Sequence, residues 1–542
     1  MIHANEDLFL IGPDGSERPL PPPSAGAKAA QLWHMVRLGL RVPPAFVLST
    51  RLCTPINRCE VEAERTFARC LRQGIDYLEH ATGRRFGDPR NPLLVSVRSG
   101  AARSMPGMLE TVLDVGLTAE TVRGLIRVTG NPRLAWDCYR RFVQSFSEVV
   151  WGIPPDPFER RLAASKRAEQ VEHDYELDPA ALERLTIDYR EIALELGAER
   201  IPDDVTEQLS AVARAVYRSW DNEKAKVYRR LNRLEDLAGT AVTIQTMVFG
   251  NSSGRSGAGV AFTRNPATGE KELYADFLFD AQGEDVVSGR RCPGDWNMMA
   301  TKLPAIACEL TNGAARLEQE FSDVQDIEFT VENAQLYFLQ TRAAKRTPRA
   351  ALKIAVDLVR EGLIDVAEGL RRVGDIEPAT AVITRFADVA KPIASATPAS
   401  DGVASGRVAF DSERAKALSD QGDPVILVRG ETSTEDVLGF GIAAGILTAL
   451  GGRTAHAAVV ARQLGKVCLV GCTALAIARE GRRATIGTKV LDEGDWLSLD
   501  GESGEIFLGK REIVRDPPEV ELATIEAWKL EVGRQAQQGG QT

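Results

Sequence analysis

Two rhythms of apolar and polar residues run along this chain. Short unbroken apolar runs at 94–98 (LVSVR) and 242–248 (VTIQTMV) predict buried strands. Between them, about residues 112–230 space their apolar positions helically, with charged faces and few glycines, as in AWDCYRRFVQSFSEVVWG, and predict a helical insertion. Farther on, QDIEFTVENAQLYFLQTR alternates, so two strands are expected to meet at the polar turn Glu332-Asn333-Ala334. Alternation puts Asp326, Glu328 and Thr330 on one face, Ile327, Phe329 and Val331 on the other, and Gln340 with Arg342 on the partner strand. Helix-prone KRTPRAALKIAVDLVREGLIDVAEGLRRV follows, and then 391–406 (KPIASATPASDGVASG), whose Pro, Ala and Ser content suggests a hinge. A glycine-rich α/β unit fills about 400–510, and one last helical segment, 520–532, precedes a polar end.

Length changes the picture first: 542 residues exceed one core and predict several domains. With 44% hydrophobic and 26% charged residues the composition is that of a globular protein. A net charge of −10 argues against general attraction to nucleic acid or anionic lipid. No apolar stretch approaches a membrane span, and the N-terminus lacks the basic-then-apolar pattern of a secretory signal. Eight cysteines without metal-type pairing fit a reduced, cytoplasmic interior.

Candidate chemistry begins at His456, one of five histidines. The run 445–450 predicts a strand, Gly451 and Gly452 a tight turn, and 457–464 a helix, so His456 falls in the first helical turn. Free N–H groups there favour an anion, hold an imidazole toward its neutral, nucleophilic form, and offer donors to a phosphoryl group it accepts. A histidine capping a helix beside a structural turn is the plain alternative.

Four other segments carry groups suited to phosphates. Small residues surround Lys28 ahead of a helix ending near Gly39, which suits backbone approach to phosphates with an added charge, or merely a surface lysine at a helix start. Arg98 ends a strand and leads into Ser99, Gly100, Arg103, Ser104 and Gly107, suiting forked contacts to phosphate oxygens or a structural salt bridge. Residues 250–270 read as a glycine-rich loop between strands, either a flexible cover over phosphates or a long hairpin loop. Asp326 and Glu328 can hold Mg2+ against nucleotide phosphates, or line a solvated hairpin face.

These stretches, together with GTAVTIQTMVFGN, AQGEDVVSG, ILTALGGRTAHAAVVARQLGK and LDEGDWLSLDG, resemble pyruvate phosphate dikinase over about residues 24–510. The resemblance implies an α/β and α+β multidomain fold. An ATP-grasp nucleotide-binding domain would occupy 1–343, including the helical insertion, and a helical connector and hinge 344–399. A swivelling α/β phosphohistidine domain would follow at 400–510, and a helical tail at 511–542. It implies ATP contacts from Lys28, Arg98, Glu284, Asp326, Glu328, Gln340 and Arg342, with Asp326, Glu328 and Gln340 toward Mg2+. His456 would accept a phosphoryl group from ATP, with Arg98 as the other catalytic residue, and Thr454 matches a regulatory phosphorylation site of the plant members.

Two departures stand out. The family's GGKG is here Gly26-Ala27-Lys28-Ala29, and each added methyl is expected to restrict φ. The family's barrel domain for pyruvate or phosphoenolpyruvate has no room after Lys510. The implied activity is an ATP-dependent transfer of the β-phosphoryl to His456 with release of AMP, the γ-phosphoryl going to inorganic phosphate, or to water as in the related synthases. The group then passes to pyruvate or another small-molecule acceptor on a partner subunit. The alternative is a nucleotide-binding regulatory or sensor protein of the same fold with little or no turnover.

Overall fold

The computed structural model describes residues 6–103, 105, 110–287, 294–430, 437–453, 456–478 and 482–539. They form two compact units, Met1–Gly254 with Tyr337–Gln340, and Arg255–Leu336 with Thr341–Thr542.

The first unit is built on an antiparallel sheet in the order Leu8–Ile11, Ala45–Leu48, Thr240–Thr246, Val95–Ala101, Thr111–Val115. Its central strand Thr240–Thr246 is buried throughout, which suits its β-branched residues. Six helices from Thr121–Thr129 to Glu223–Leu231 follow the last edge strand. Pro132–Trp151 shows why such helices form. Asn131 caps the Leu134 N–H at 3.0 Å, proline takes the first turn, and Gly152 ends the helix at φ +72°. Its inner stripe, including Leu134, Cys138, Phe142 and Phe146, is buried. Asp137 is buried there too. Burial alone would raise its pKa, but Arg141 and Arg140 overcome that and hold the carboxyl well below its usual range.

The second unit holds two main sheets. One runs Gly294–Asp295, Tyr274–Phe279, Gly257–Phe262, Gln325–Glu332, Gln335–Ala343. Its second hairpin turns at the expected place: Asn333 and Ala334 have φ of +51° and +59°, and Ala334 N donates to Arg255 O at 3.0 Å. Residues 250–270, expected as a loop, instead contain the buried strand Gly257–Phe262. Its glycines serve packing. A Cβ on Gly257 would lie 2.1 Å from the Phe277 ring, and one on Gly259 would lie 2.4 Å from the Phe329 ring.

The other sheet has eight strands, with Val403–Ala409, Val425–Arg429, Gly445–Thr448 and Val467–Val470 parallel at its heart. Helices Ser412–Asp420, Val437–Ile442 and His456–Leu464 make the crossovers. Apolar clusters lie on both faces, hence the unbroken Val, Ile and Leu runs. The stretch 391–406, read from composition as a hinge, carries strands Ala394–Ser395 and Thr397–Ser400 and the start of Val403–Ala409. The chain on either side of this sheet pairs with itself, Ile383–Phe386 antiparallel to Ile513–Asp516. Helix Glu519–Gly539 then packs through Ile525 and Trp528 against Pro348–Arg360 and Val366–Val373. Among the described residues no helix is long and apolar enough to cross a membrane. The architecture is mixed α/β and multidomain, as the sequence predicts.

Candidate active site

In the first unit, helix Ala27–Arg37 starts from Gly26, whose φ is +81°. A Cβ on Gly26 would lie 2.1 Å from Gly100 O, so only glycine lets this helix begin so close to the Arg98 strand. A Cβ placed on Gly100 would sit 3.9 Å from Lys28 Cβ and 3.7 Å from Thr243 Oγ1. Lys28 and the strand bearing Arg98 therefore meet. Arg98 is half-buried and pairs across the sheet with Thr243 and Thr111. Thr243 Oγ1 is buried with no hydrogen-bond partner among the described residues. Two cations beside a helix start suit phosphate oxygens.

The restricted φ expected at Ala27 and Ala29 does not arise. Both are helical, where alanine is unstrained, and Ala29 is fully buried. Ser99 and Gly100 belong to the strand rather than to a loop, and Arg103 lies in an exposed bend. Ser104 and Gly107 lie outside the described residues.

In the second unit, register sets Asp326 opposite Phe262, which faces Tyr274, and Glu328 opposite Val260, which faces Asp276. Opposed residues share a face, so three carboxylates lie on one side of this sheet. Arg342 Nε donates to Asp326 Oδ2 at 2.8 Å. Asp326 is only 5% exposed, which excludes the solvated hairpin face. Its Oδ1 has no hydrogen-bond partner among the described residues. Burial raises its pKa more than Arg342 lowers it, and Glu328 adds to the rise. Asp276 is the acid that sequence reasoning missed. Alternation in YADFLF places it on the face of Tyr274, a signal that was available but lacked a partner strand.

Glu284 lies on the exposed side of the short helix Gly283–Val287, which packs on the same sheet. Gln340 is half-buried, two residues before Arg342, in the segment counted with the first unit, where Phe338 N donates to Arg41 O at 2.9 Å.

His456 is the first residue of helix His456–Leu464, after a turn in which Gly451 has φ +111°. Thr454 lies outside the described residues. Six residues on, Arg462 is fully buried. Its Nη1 donates to Ala399 O at 2.8 Å and to Arg453 O at 2.7 Å, and its guanidinium lies 5.2 Å from the Phe262 ring centroid. Arg453 stacks 4.5 Å over Tyr274, with its Nε 4.0 Å from Asp276 Oδ1. Tyr274 OH in turn donates to Pro398 O at 2.9 Å, and burial pushes its pKa to about 12. The helix that starts at His456 is thus moored to the acidic sheet face.

The acid pair fits a hard divalent cation. Asp326 Oδ1 is a buried carboxylate oxygen with no hydrogen-bond partner among the described residues, with Glu328 on the same face. Among the described residues no cluster of three or more His, Cys, Asp or Glu could hold a metal alone. A cation here would complete its shell with phosphate and water oxygens, as Mg2+ does.

Comparison with known proteins identifies the family. Residues 60–308 and 303–362 match the family described as "Pyruvate phosphate dikinase, AMP/ATP-binding domain", and residues 421–504 match "PEP-utilising enzyme, mobile domain". "Pyruvate, phosphate dikinase, chloroplastic" of Flaveria trinervia is 44% identical over 507 residues, 93% of this chain and 53% of that protein. "Pyruvate, phosphate dikinase" of Clostridium symbiosum is 44% identical over 489 residues, 89% of this chain and 56% of that protein. The chain spans about half the length of these relatives. From the family match, which takes in both the acidic strand and Arg342, the chain belongs to the pyruvate phosphate dikinase family of ATP-dependent enzymes.

Proposed function

We propose that this chain uses ATP to phosphorylate His456, releasing AMP and passing the γ-phosphoryl to inorganic phosphate. Lys28 and Arg98 hold phosphate oxygens and neutralise charge that develops in transfer. Glu284 and Arg342 contribute to nucleotide binding, and Asp326 and Glu328, with Gln340, would hold Mg2+. That ion supplies charge neutralisation on the phosphates when bound. The imidazole of His456 attacks the β-phosphorus and the bond to the α-phosphate oxygen breaks, so AMP leaves. Inorganic phosphate then takes the γ-phosphoryl and departs as pyrophosphate, and the β-phosphoryl stays on His456, which divides one difficult transfer into two easier ones. From His456 the group goes to pyruvate or another small-molecule acceptor on a partner subunit or domain. Thr454 stands two residues before His456, where a phosphate would bear directly on loading.

The observation that carries this reading is the mooring of the His456 helix, through Arg462 and Arg453, over the face that holds Asp326 and Glu328. Nucleophile-bearing element and acid pair belong to one compact unit.

The test is incubation with Mg2+, inorganic phosphate and ATP carrying radioactive phosphorus in the β or the γ position. Acid-labile, base-stable β-label on the parent and none on His456→Asn is the expected outcome. Asp326→Ala should bind no label while keeping the parent circular dichroism spectrum. Nucleotide binding without any label on the parent would instead identify a sensor.

A further inference from the structure

Arg462 is a large buried cation that the chemistry above does not use. It is 0% exposed, lies in helix His456–Leu464, and spends one nitrogen, Nη1, on two carbonyls. Those carbonyls belong to different places: Ala399 O in strand Thr397–Ser400, and Arg453 O in the turn just ahead of His456. Its Nε and Nη2 are buried with no hydrogen-bond partner among the described residues. The guanidinium carbon lies over the Phe262 ring, 5.2 Å from its centroid, and Phe262 stands opposite Asp326 in the register. Burial holds the Arg462 pKa below the ordinary arginine value, while Tyr274, Asp326 and Asp276 pull it back up. An isolated buried guanidinium would be costly, so the acid face is what makes this position tolerable.

We infer that Arg462 is a positioning residue that ties the turn preceding His456 to the acidic sheet face, so that the histidine is presented only when that face is formed. One side chain reaches the turn by hydrogen bonds to backbone and the face by a cation–π contact and charge. A lysine is a poor replacement: its ammonium could meet both carbonyls, but it is a compact, strongly hydrated point charge that loses more on burial and lacks the delocalised guanidinium that sits over the Phe262 ring. The inference rests on His456 being the phosphoryl acceptor. Arg453 supports the same link from the turn itself, over Tyr274 and toward Asp276. Misplacement of a reacting group by about 1 Å costs on the order of 100-fold in rate, the scale expected for losing this tie.

The test uses the full chain with Arg462→Gln, Arg462→Lys and Asp276→Asn. Three quantities are measured: ATP affinity, the single-turnover rate of labelling, and amide hydrogen exchange across 445–464. For Arg462→Gln the labelling rate should fall by about 100-fold while ATP affinity stays within about threefold, because the loss lies in presentation rather than binding. Arg462→Lys should recover no more than about a tenth of the parent rate. Amides on either side of the turn should exchange faster in both, with the rest of the second unit unchanged. Asp276→Asn acts from the opposite side of the same tie and should loosen the same amides; it decides the matter if Arg462→Gln does not fold. Unchanged labelling and exchange in the variants, or affinity lost in proportion to rate, would overturn the inference. If the parent takes no label, the phosphotransfer reading fails on its own, and the exchange pattern still decides whether Arg462 holds the turn.

Discussion

At Gly26 the main chain leaves one short helix and enters another at φ +81°, with the Gly100 carbonyl where a Cβ would go. Gly26→Ala should therefore destabilise the first unit by about 1–3 kcal/mol through strain and overpacking, and should also weaken ATP binding by moving Lys28. Urea unfolding followed by circular dichroism, with nucleotide titration beside it, checks both; an unchanged midpoint would show that the close approach is not held in solution. The neighbouring alanines behave oppositely. Ala27→Gly and Ala29→Gly, which restore the family's GGKG, should each cost up to about 1 kcal/mol of helix stability. They should bring no gain in ATP affinity, since the backbone there is already helical. From the residue string alone, Lys28 and Arg98 were legible as cations in small-residue settings. Their meeting was not, because it depends on Gly26 and Gly100 touching across 74 positions of sequence.

Strand Gly257–Phe262 teaches the same lesson at the scale of an element. Glycine and serine are loop signals when read locally, and 250–270 was read accordingly. The reason for glycine lies in Phe277 and Phe329, on the two flanking strands, which occupy the space that side chains would need. Gly259→Ala would place a Cβ 2.4 Å from the Phe329 ring and 2.6 Å from Asp276 O. Overpacking on both sides should cost about 1–3 kcal/mol, and because Asp276 is displaced the amides of Tyr274–Phe279 should lose exchange protection first. Equal protection in parent and variant would show that this strand has slack. In the hairpin that follows, the turn and the alternation within each strand follow from period-two patterning over neighbouring residues, whereas the pairing of Arg342 with Asp326 depends on how the two strands align. The strands within residues 391–406 were hidden for the reason that the strand in 250–270 was, since short strands of small residues such as Ala394–Ser395 look like linker until their partner Glu505–Leu508 is known.

Across the whole second unit, one acid couples distant parts of the chain to pH. Asp401, in the turn between Thr397–Ser400 and Val403–Ala409, pairs with Arg349 of helix Pro348–Arg360 at 3.1 Å. Burial raises its pKa to about 6 despite the pull of Arg349, and Glu502 adds to the rise. An unfolded aspartate has a pKa of about 4. Between those values the folded chain holds a proton that the unfolded chain has released, so stability falls as pH rises from about 4 to about 6 and is level above that. Asp401→Asn is neutral throughout and should lack this slope. The stability difference between parent and variant should therefore move against the parent by on the order of 2 kcal/mol across that window. Arg349→Met removes the opposing charge, raises the pKa further, and should extend the falling limb to higher pH. Urea midpoints for the three proteins at half-unit steps of pH separate these effects from other titrating groups, because only the differences are compared. Parallel curves for the parent and Asp401→Asn would mean that the carboxylate is solvated in the folded chain and that helix Pro348–Arg360 is held to the eight-stranded sheet by other contacts.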